Sequence, residues 1–255
     1  MSLLTWTPAA LHSEVLAWEG TAWRLVEAQH LVSTRKLVDS LEEQQQLEEI
    51  IEAAKPAVPP ACRHLDYLLS TPFRYRAYPH GSRFRRAGFT PGIWYGAQHS
   101  DTAAAEMAFY RLLFFAESPG TPFPDNAGEY TGIGAPISTL AALDLTAGAL
   151  AQSHNLWTHL TDYHACQALA DTARSMGAQL LRYQSVRDPQ QRANLAVLDC
   201  AAFSARQPLA QRETWRIYIS GSGLLVQREF PFLALEFDRA AFAADPRVAA
   251  MAWDR

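Results

Sequence analysis

Apolar positions recur along the chain with two periods, and the switches between them mark out the expected elements. Thr7 and Pro8 predict a short opening helix, with Thr7 as N-cap and Pro8 at the first helical position. TAWRLVEA (Thr21 to Ala28) alternates as a strand, with Trp23, Leu25 and Ala28 apolar and Arg24 between them. From Ser40 to Ala54 (SLEEQQQLEEIIEAA) the period becomes helical. Leu41, Leu47, Ile50 and Ile51 fall on one side, and the glutamates form a solvated face. The helix stops before Pro56, and AKPAVPPA is a loop by its prolines. HLDYLLS (His64 to Ser70) is a short apolar element. GIWYGA is a Gly-flanked aromatic strand, followed by a helix to about Phe115 with Asp101 or Thr102 as N-cap.

Residues Pro119 to Gly134, rich in Gly, Pro and Asp, predict a surface loop, and Ile137 to Leu145 (ISTLAALDL) a strand. A helix is expected from Thr158 to about Ser175, stopped by Gly177. The last third turns to strands. QLLRYQSV (Gln179 to Val186) and LAVL (Leu195 to Leu198) are joined by a polar turn. TWRIYI and LLVQREF flank an SGSG hairpin, and Ala234 to Phe237 adds another strand. Helices interrupting antiparallel-looking strands make an α+β pattern rather than a βαβ alternation. The Pro-rich stretch Lys55 to Ala61 is the sole candidate boundary and is short, so one domain over residues 1–255 is expected.

Composition narrows the function classes. The chain has 255 residues, 49% apolar and 19% charged, with a formal net charge of −4. That balance argues against bulk attraction to nucleic acid or an anionic membrane. Cys62, Cys166 and Cys200 are widely spaced and predict neither a zinc site nor a disulfide framework, which suits a reducing cytoplasm. The N-terminus lacks a signal-peptide pattern, and no apolar run is long enough to span a bilayer.

Against this mildly acidic background, Thr71 to Arg111 stands out. Arg74, Arg76, Arg83, Arg85 and Arg86 interleave with Phe73, Tyr75, Tyr78 and Phe84, and no acid occurs between Asp66 and Asp101. A local basic cluster of this kind suits a small anionic ligand. No P-loop, GxGxxG or HExxH motif is present, and the histidine pair His159 and His164 has the wrong spacing for a helical metal pair. Catalysis would therefore rest on Arg, Glu, Tyr and Ser without a metal.

Each candidate has a bland reading beside a functional one. Glu106, with Phe109 and Tyr110 on its helical face, is either a first-turn glutamate favoured by the helix dipole or a carboxylate in an apolar cleft. In a cleft, its charge would stabilise a cationic transition state such as a ribosyl oxocarbenium ion. The arginines fit surface solubilisation, single-strand nucleic-acid binding or pyrophosphate binding through guanidinium forks. Gly81 beside Ser82 and Arg83 lets backbone approach a ligand. Tyr95 is a core or edge tyrosine, or a flat face for a ring. Arg24 points to solvent or needs a partner, and Ser185 either satisfies local backbone groups or serves the site.

Taken in order, these residues resemble the RES domain, named for an arginine, a glutamate and a serine. WRLVEA supplies Arg24, GSRF supplies Arg83, GIWYGA supplies Tyr95, TAAAE supplies Glu106 and QSVRD supplies Ser185. Arg74 competes with Arg24 for the first arginine, and the acidic helix with its Pro linker (about 40–61) is an insert relative to compact members. The resemblance implies an ADP-ribosyltransferase-like fold with a split, mostly antiparallel sheet. It implies a toxin of a bacterial toxin–antitoxin module, covered by an Xre-like antitoxin. The implied activity is cleavage of the nicotinamide–ribose bond of NAD+, with NAD as substrate and a protein, water or phosphate as acceptor. On that basis Glu106, Arg24 and Ser185 are the expected catalytic residues, and Arg83, Tyr95 and Arg74 the expected NAD-binding ones.

Overall fold

The computed structural model describes residues 6–28, 33–75 and 77–254; Arg76, singled out above, lies outside that set. A short helix α1 (Pro8–His12), capped by the Thr7 hydroxyl, leads into the long strand β1 (Val15–Glu27). The acidic helix α2 (Leu41–Ala54) opens on a capping box, in which Ser40 and Glu43 each accept from the other's backbone N–H at 3.1 and 3.2 Å. Helix α3 (Tyr67–Arg74), capped by Asp66, precedes a small ladder of β2 (Ala77–Tyr78) and β3 (Gly88–Phe89). Strand β4 (Trp94–Ala97) then feeds helix α4 (Ser100–Glu117), and the long strand β5 (Gly128–Asp144) follows. Helices α5 (His154–Trp157) and α6 (His164–Ser175) come before β6 (Leu180–Gln184) and β7 (Ala193–Val197). The chain ends with β8 (Arg212–Ser220), β9 (Gly223–Arg228), β10 (Leu233–Asp238) and α7 (Pro246–Ala249).

The α+β expectation holds. The eight larger strands form one sheet in the order β1-β4-β7-β6-β5-β8-β9-β10, and β1 also pairs with β5. The path β1-β4-β7-β6-β5 therefore closes on itself, and β8, β9 and β10 continue from it. Among the described residues, every pairing in this sheet is antiparallel except β5 with β6. The length of β5 makes this possible. Gly128–Ile133 pairs with β8, Ala142–Asp144 pairs with β6, and β1 runs along the opposite edge of both halves. One face of the closed path packs Ala22, Trp94, Ile133, Ala135, Leu195 and Val197 beneath Leu69 and Phe73 of α3. The other face is covered by α4 in one place and by α6 in another.

Several sequence expectations shift. The loop expected over Pro119 to Gly134 ends at Gly128, where β5 begins. Its glycines misled the reading because Gly132 is there for packing: a Cβ would stand 3.1 Å from the Trp215 indole nitrogen. The helix expected from Thr158 starts at His164, so Leu160 and Tyr163 precede it. The α4 N-cap is His99, and Asp101 sits inside the first turn. No residue of α2 is buried, and its expected apolar side remains open, with Leu41 76% and Ile50 66% exposed. The sheet faces it could have covered are already taken by α3, α4 and α6.

The cysteine expectation is also corrected. Cys62 and Cys200, 138 residues apart, form a disulfide with Cα atoms 5.7 Å apart, and Cys166 is the free buried thiol. Each bonded cysteine sits in a 3-10 turn, and the two turns pack together in the core under α3. Spacing alone could not reveal a partner brought close by the sheet. Among the described residues, no helix is long and apolar enough to cross a membrane.

Candidate active site

Four small side chains bring α4 close to the sheet: Ala103, Ala104, Ala105 and Ala108 are all buried. Glu106 projects from the second turn, not the first, so the helix dipole alone does not account for it. Its Oε1 accepts two short hydrogen bonds, from the Ser185 hydroxyl at 2.6 Å and from Asn194 Nδ2 at 2.5 Å.

The Ser185 hydroxyl leaves no choice of direction. Ser185 is fully buried, and its oxygen accepts the backbone N–H groups of Arg187 at 3.1 Å and Asp188 at 3.0 Å. Both lone pairs are thereby used, so its one proton goes to Glu106. Asn194 is fixed by a similar argument, because turning its amide over would set two acceptor oxygens together. Its own Oδ1, in a residue 3% exposed, has no hydrogen-bond partner among the described residues. Oε2 of Glu106 receives no hydrogen bond from a described residue and is the oxygen left for a ligand.

Cross-strand register explains why these groups meet. Asn194 on β7 stands opposite Ala97 of β4 and Tyr183 of β6, so their side chains share one face. Ser185 lies two residues beyond Tyr183 and keeps that face. The loop after it is pinned by Asp188, which accepts from Thr102 at 2.7 Å and from Arg192 at 2.6 Å. Arg192 also reaches Asp101 at 2.5 Å, which ties the loop to the first turn of α4.

Aromatic and basic groups complete the surroundings. Tyr183 is buried, and its phenol is pushed well above its ordinary value, first by burial and then by the charge of Glu106, with Arg83 opposing. The phenol of Tyr110, a turn beyond Glu106, is also raised, first by desolvation and then by the charge of Glu106. Tyr95 contacts Ser82 at 2.9 Å and accepts from the Phe84 N–H at 3.2 Å, which fastens the GSRF turn to the sheet. Gly81 makes that turn possible at φ 64°, where a Cβ would stand 2.9 Å from the Arg85 carbonyl. The turn aims Arg83 inward. Arg83 donates to the carbonyls of Trp157 at 2.7 Å and His159 at 2.9 Å, and lies over the Tyr163 ring at 4.7 Å. Beyond Tyr163 opens a cleft of about 510 Å³, with His80 and His164 also on its wall.

The expected residues therefore divide. Glu106, Ser185, Tyr95 and Arg83 gather on one face. Arg24 does not join them. Trp23 pairs with Ala97 and so shares the Glu106 face, which places Arg24, the next residue of β1, on the opposite one. There it lies 5.7 Å from the Trp94 ring, without a hydrogen bond or ion pair to a described residue, and burial lowers it to about 10. Arg74 is bound to the Pro56 carbonyl at 2.6 Å and to Glu52 of α2 at 2.7 Å. Arg85 is 7% exposed and bonded to the Tyr75 and Thr90 carbonyls, and Arg86 pairs with Asp171 at 2.6 Å. Among the described residues, no group of three or more His, Cys, Asp or Glu is placed to hold a metal ion.

Sequence reasoning missed Asn194, Tyr183, Tyr163, Arg187, Asp245 and Arg247. Asn194 left one signal: a single amide in the otherwise apolar ANLAV strand, all of which is buried. Arg187 packs on the Phe109 ring at 3.6 Å and donates to the buried Asp245 at 2.6 Å, a partner 58 residues away that no local pattern declares.

Comparison with known proteins bears on this constellation. No curated protein matches the chain at a significant level. Among solved structures, the M. tuberculosis MbcT–MbcA toxin–antitoxin complex is similar at 15% identity and a TM-score of 0.44, covering 95% of this chain and 97% of that one. The family model described as "RES domain" matches residues 58–220, more than half of the chain. That stretch contains Arg83, Tyr95, Glu106, Ser185 and the unanticipated Asn194, and leaves Arg24 outside. The chain belongs to the RES-domain family.

Proposed function

We propose that this protein is an NAD-consuming enzyme that cleaves the nicotinamide–ribose bond of NAD+ and passes ADP-ribose to a protein acceptor. The observation that carries the reading is the state of Glu106: one oxygen held by two short donors, the other open, beside aromatic and basic side chains. A dinucleotide suits that donor set. Guanidinium forks match phosphate oxygens, and tyrosine faces match rings.

In this mechanism Glu106 Oε2 meets the ribose of the nicotinamide half. As the C1′–N bond breaks, its electron pair leaves with nicotinamide, which departs neutral, and positive charge grows on the ribose. The fixed negative charge of Glu106 favours that change more than it favours the ground state. The acceptor then attacks C1′ and gives up its proton. Ser185 and Asn194 hold the carboxylate still, so no reorganisation is needed during the step. Tyr95 packs on the nicotinamide side, and Arg83 faces the phosphates. Arg24, on the far face, and Arg74, bound to α2, are given no substrate contact in this scheme.

Family membership supports the wider setting: an ADP-ribosyltransferase-like fold and a toxin held in check by an Xre-like antitoxin over the cleft. Incubating the protein with NAD+ and resolving the products by mass spectrometry tests the proposal. Free nicotinamide together with a protein adduct of ADP-ribose is expected. Free ADP-ribose without an adduct would point to hydrolysis, and a phosphorylated ADP-ribose formed only with added phosphate would point to phosphorolysis. No nicotinamide under any condition would end the NAD reading.

A further inference from the structure

Asp245 lies beyond the matched stretch, just before α7, and is completely buried. Four donors converge on it. The Arg247 N–H and Nε reach Oδ1 at 3.0 Å each, while Arg247 Nη2 at 2.8 Å and Arg187 Nη2 at 2.6 Å share Oδ2. One carboxylate therefore serves two guanidinium groups. Arg187 alone would neutralise it, so a positive charge is left over.

The two arginines are placed differently. The Arg187 side chain is 5% exposed, lies flat on Phe109 at 3.6 Å and donates to the Leu160 carbonyl, which is a structural commitment. The Arg247 side chain is 34% exposed and stands 5.6 Å from the same ring, less than one turn of α4 from Glu106. Its charge also interacts with the Tyr163 phenol, and Arg83 sits over the face of that ring at 4.7 Å. Arg83 and Arg247 thus both stand by Tyr163, which lies on the wall of the open cleft.

We infer that Arg247 is a phosphate-binding residue of the Glu106 site, contributed by the C-terminal segment and oriented by Asp245 toward the pyrophosphate of a dinucleotide. The assignment rests on reading the site as one for a dinucleotide and extends the binding machinery past the matched residues 58–220. The chemistry favours it because a guanidinium already held on one edge loses little freedom when a phosphate takes the other. Arg83 and Arg247 together would grip both phosphates, leaving Glu106 to face the ribose.

The test compares wild type with Arg247→Gln and Arg247→Lys in two assays: turnover of NAD+ and binding of ADP-ribose by calorimetry. Arg247→Gln is expected to raise KM for NAD+ and Kd for ADP-ribose by about tenfold or more, with kcat changed far less, and Arg247→Lys to recover part of the loss. Thermal unfolding of each variant separates binding from folding. A lowered Tm with KM and Kd unchanged would make Arg247 a structural partner of Asp245 and overturn the inference. Wild type that binds ADP-ribose but does not turn over NAD+ would sink the proposed activity alone. In that case the loss of ADP-ribose affinity in Arg247→Gln still decides the role of Arg247. Wild type that fails to bind ADP-ribose would overturn both.

Discussion

Ser185 and Asn194 both donate to the same oxygen of Glu106, yet their removal should have different consequences. In Ser185→Ala the N–H groups of Arg187 and Asp188 lose their buried acceptor along with the bond to Glu106. Stability should fall by about 1–3 kcal/mol, and nicotinamide release should fall with it. Asn194 is a costlier fixture than it need be, because its buried Oδ1 finds no partner among the described residues. In Asn194→Ala the lost bond and the relieved orphan oppose each other. Urea unfolding should move by less than about 1 kcal/mol while turnover drops roughly tenfold. Equal losses of stability in the two variants would mean that Asn194 is ordinary core rather than a support for the carboxylate. Of this cluster, Glu106 was legible as a lone carboxylate in an otherwise apolar helical run, whereas Ser185, at the polar end of a strand, was reached through the family resemblance. Asn194 has that signature too, but its meaning depends on the β4–β7–β6 register, which no local pattern states.

At the scale of elements, the two ends of the site were read with different success. The helix bearing Glu106, the GIWYGA strand and the SGSG hairpin carried clear periods and breakers, and all three form. Strand β5 was half missed because its glycines serve close packing rather than a turn, Gly132 against Trp215 among them. The acidic helix carried the right period, yet its apolar side found no sheet face to cover. In β1 the alternation was visible but not which face was which, and that decides the standing of Arg24. Its guanidinium value, about 10, lies below the ordinary 12.5, so the fold disfavours its charged form. That penalty is present at neutral pH and fades as pH rises past 10 toward 12.5, where the unfolded chain binds more protons than the folded one. Arg24→Met should therefore raise unfolding free energy at neutral pH by roughly 1–3 kcal/mol, measured in urea. A loss of that size would show that stacking on Trp94, or a bound anion, outweighs burial.

Across the whole molecule, the basic cluster proves to be mostly architecture. Arg74 and Arg86 each meet a carboxylate, and Arg85 is spent on carbonyls, which leaves little free charge for a nucleic-acid backbone. In the proposed mechanism the working charge comes instead from Arg83 and from Arg247 in the C-terminal segment. The Cys62–Cys200 disulfide closes 138 residues around this assembly. Thiol titration of denatured, unreduced protein should find Cys166 alone; three reactive thiols would show the pair open in solution.

The central claim is that the open oxygen of a fixed Glu106 drives departure of nicotinamide from NAD+. Glu106→Gln keeps the shape of the side chain and removes its charge. The direct measurement is the rate of nicotinamide release from NAD+ by wild type and Glu106→Gln at matched concentration, with thermal unfolding as a check on folding. The rate should fall on the order of a hundredfold or more in a variant that unfolds like wild type. Equal rates, or no release by either protein, would contradict the account.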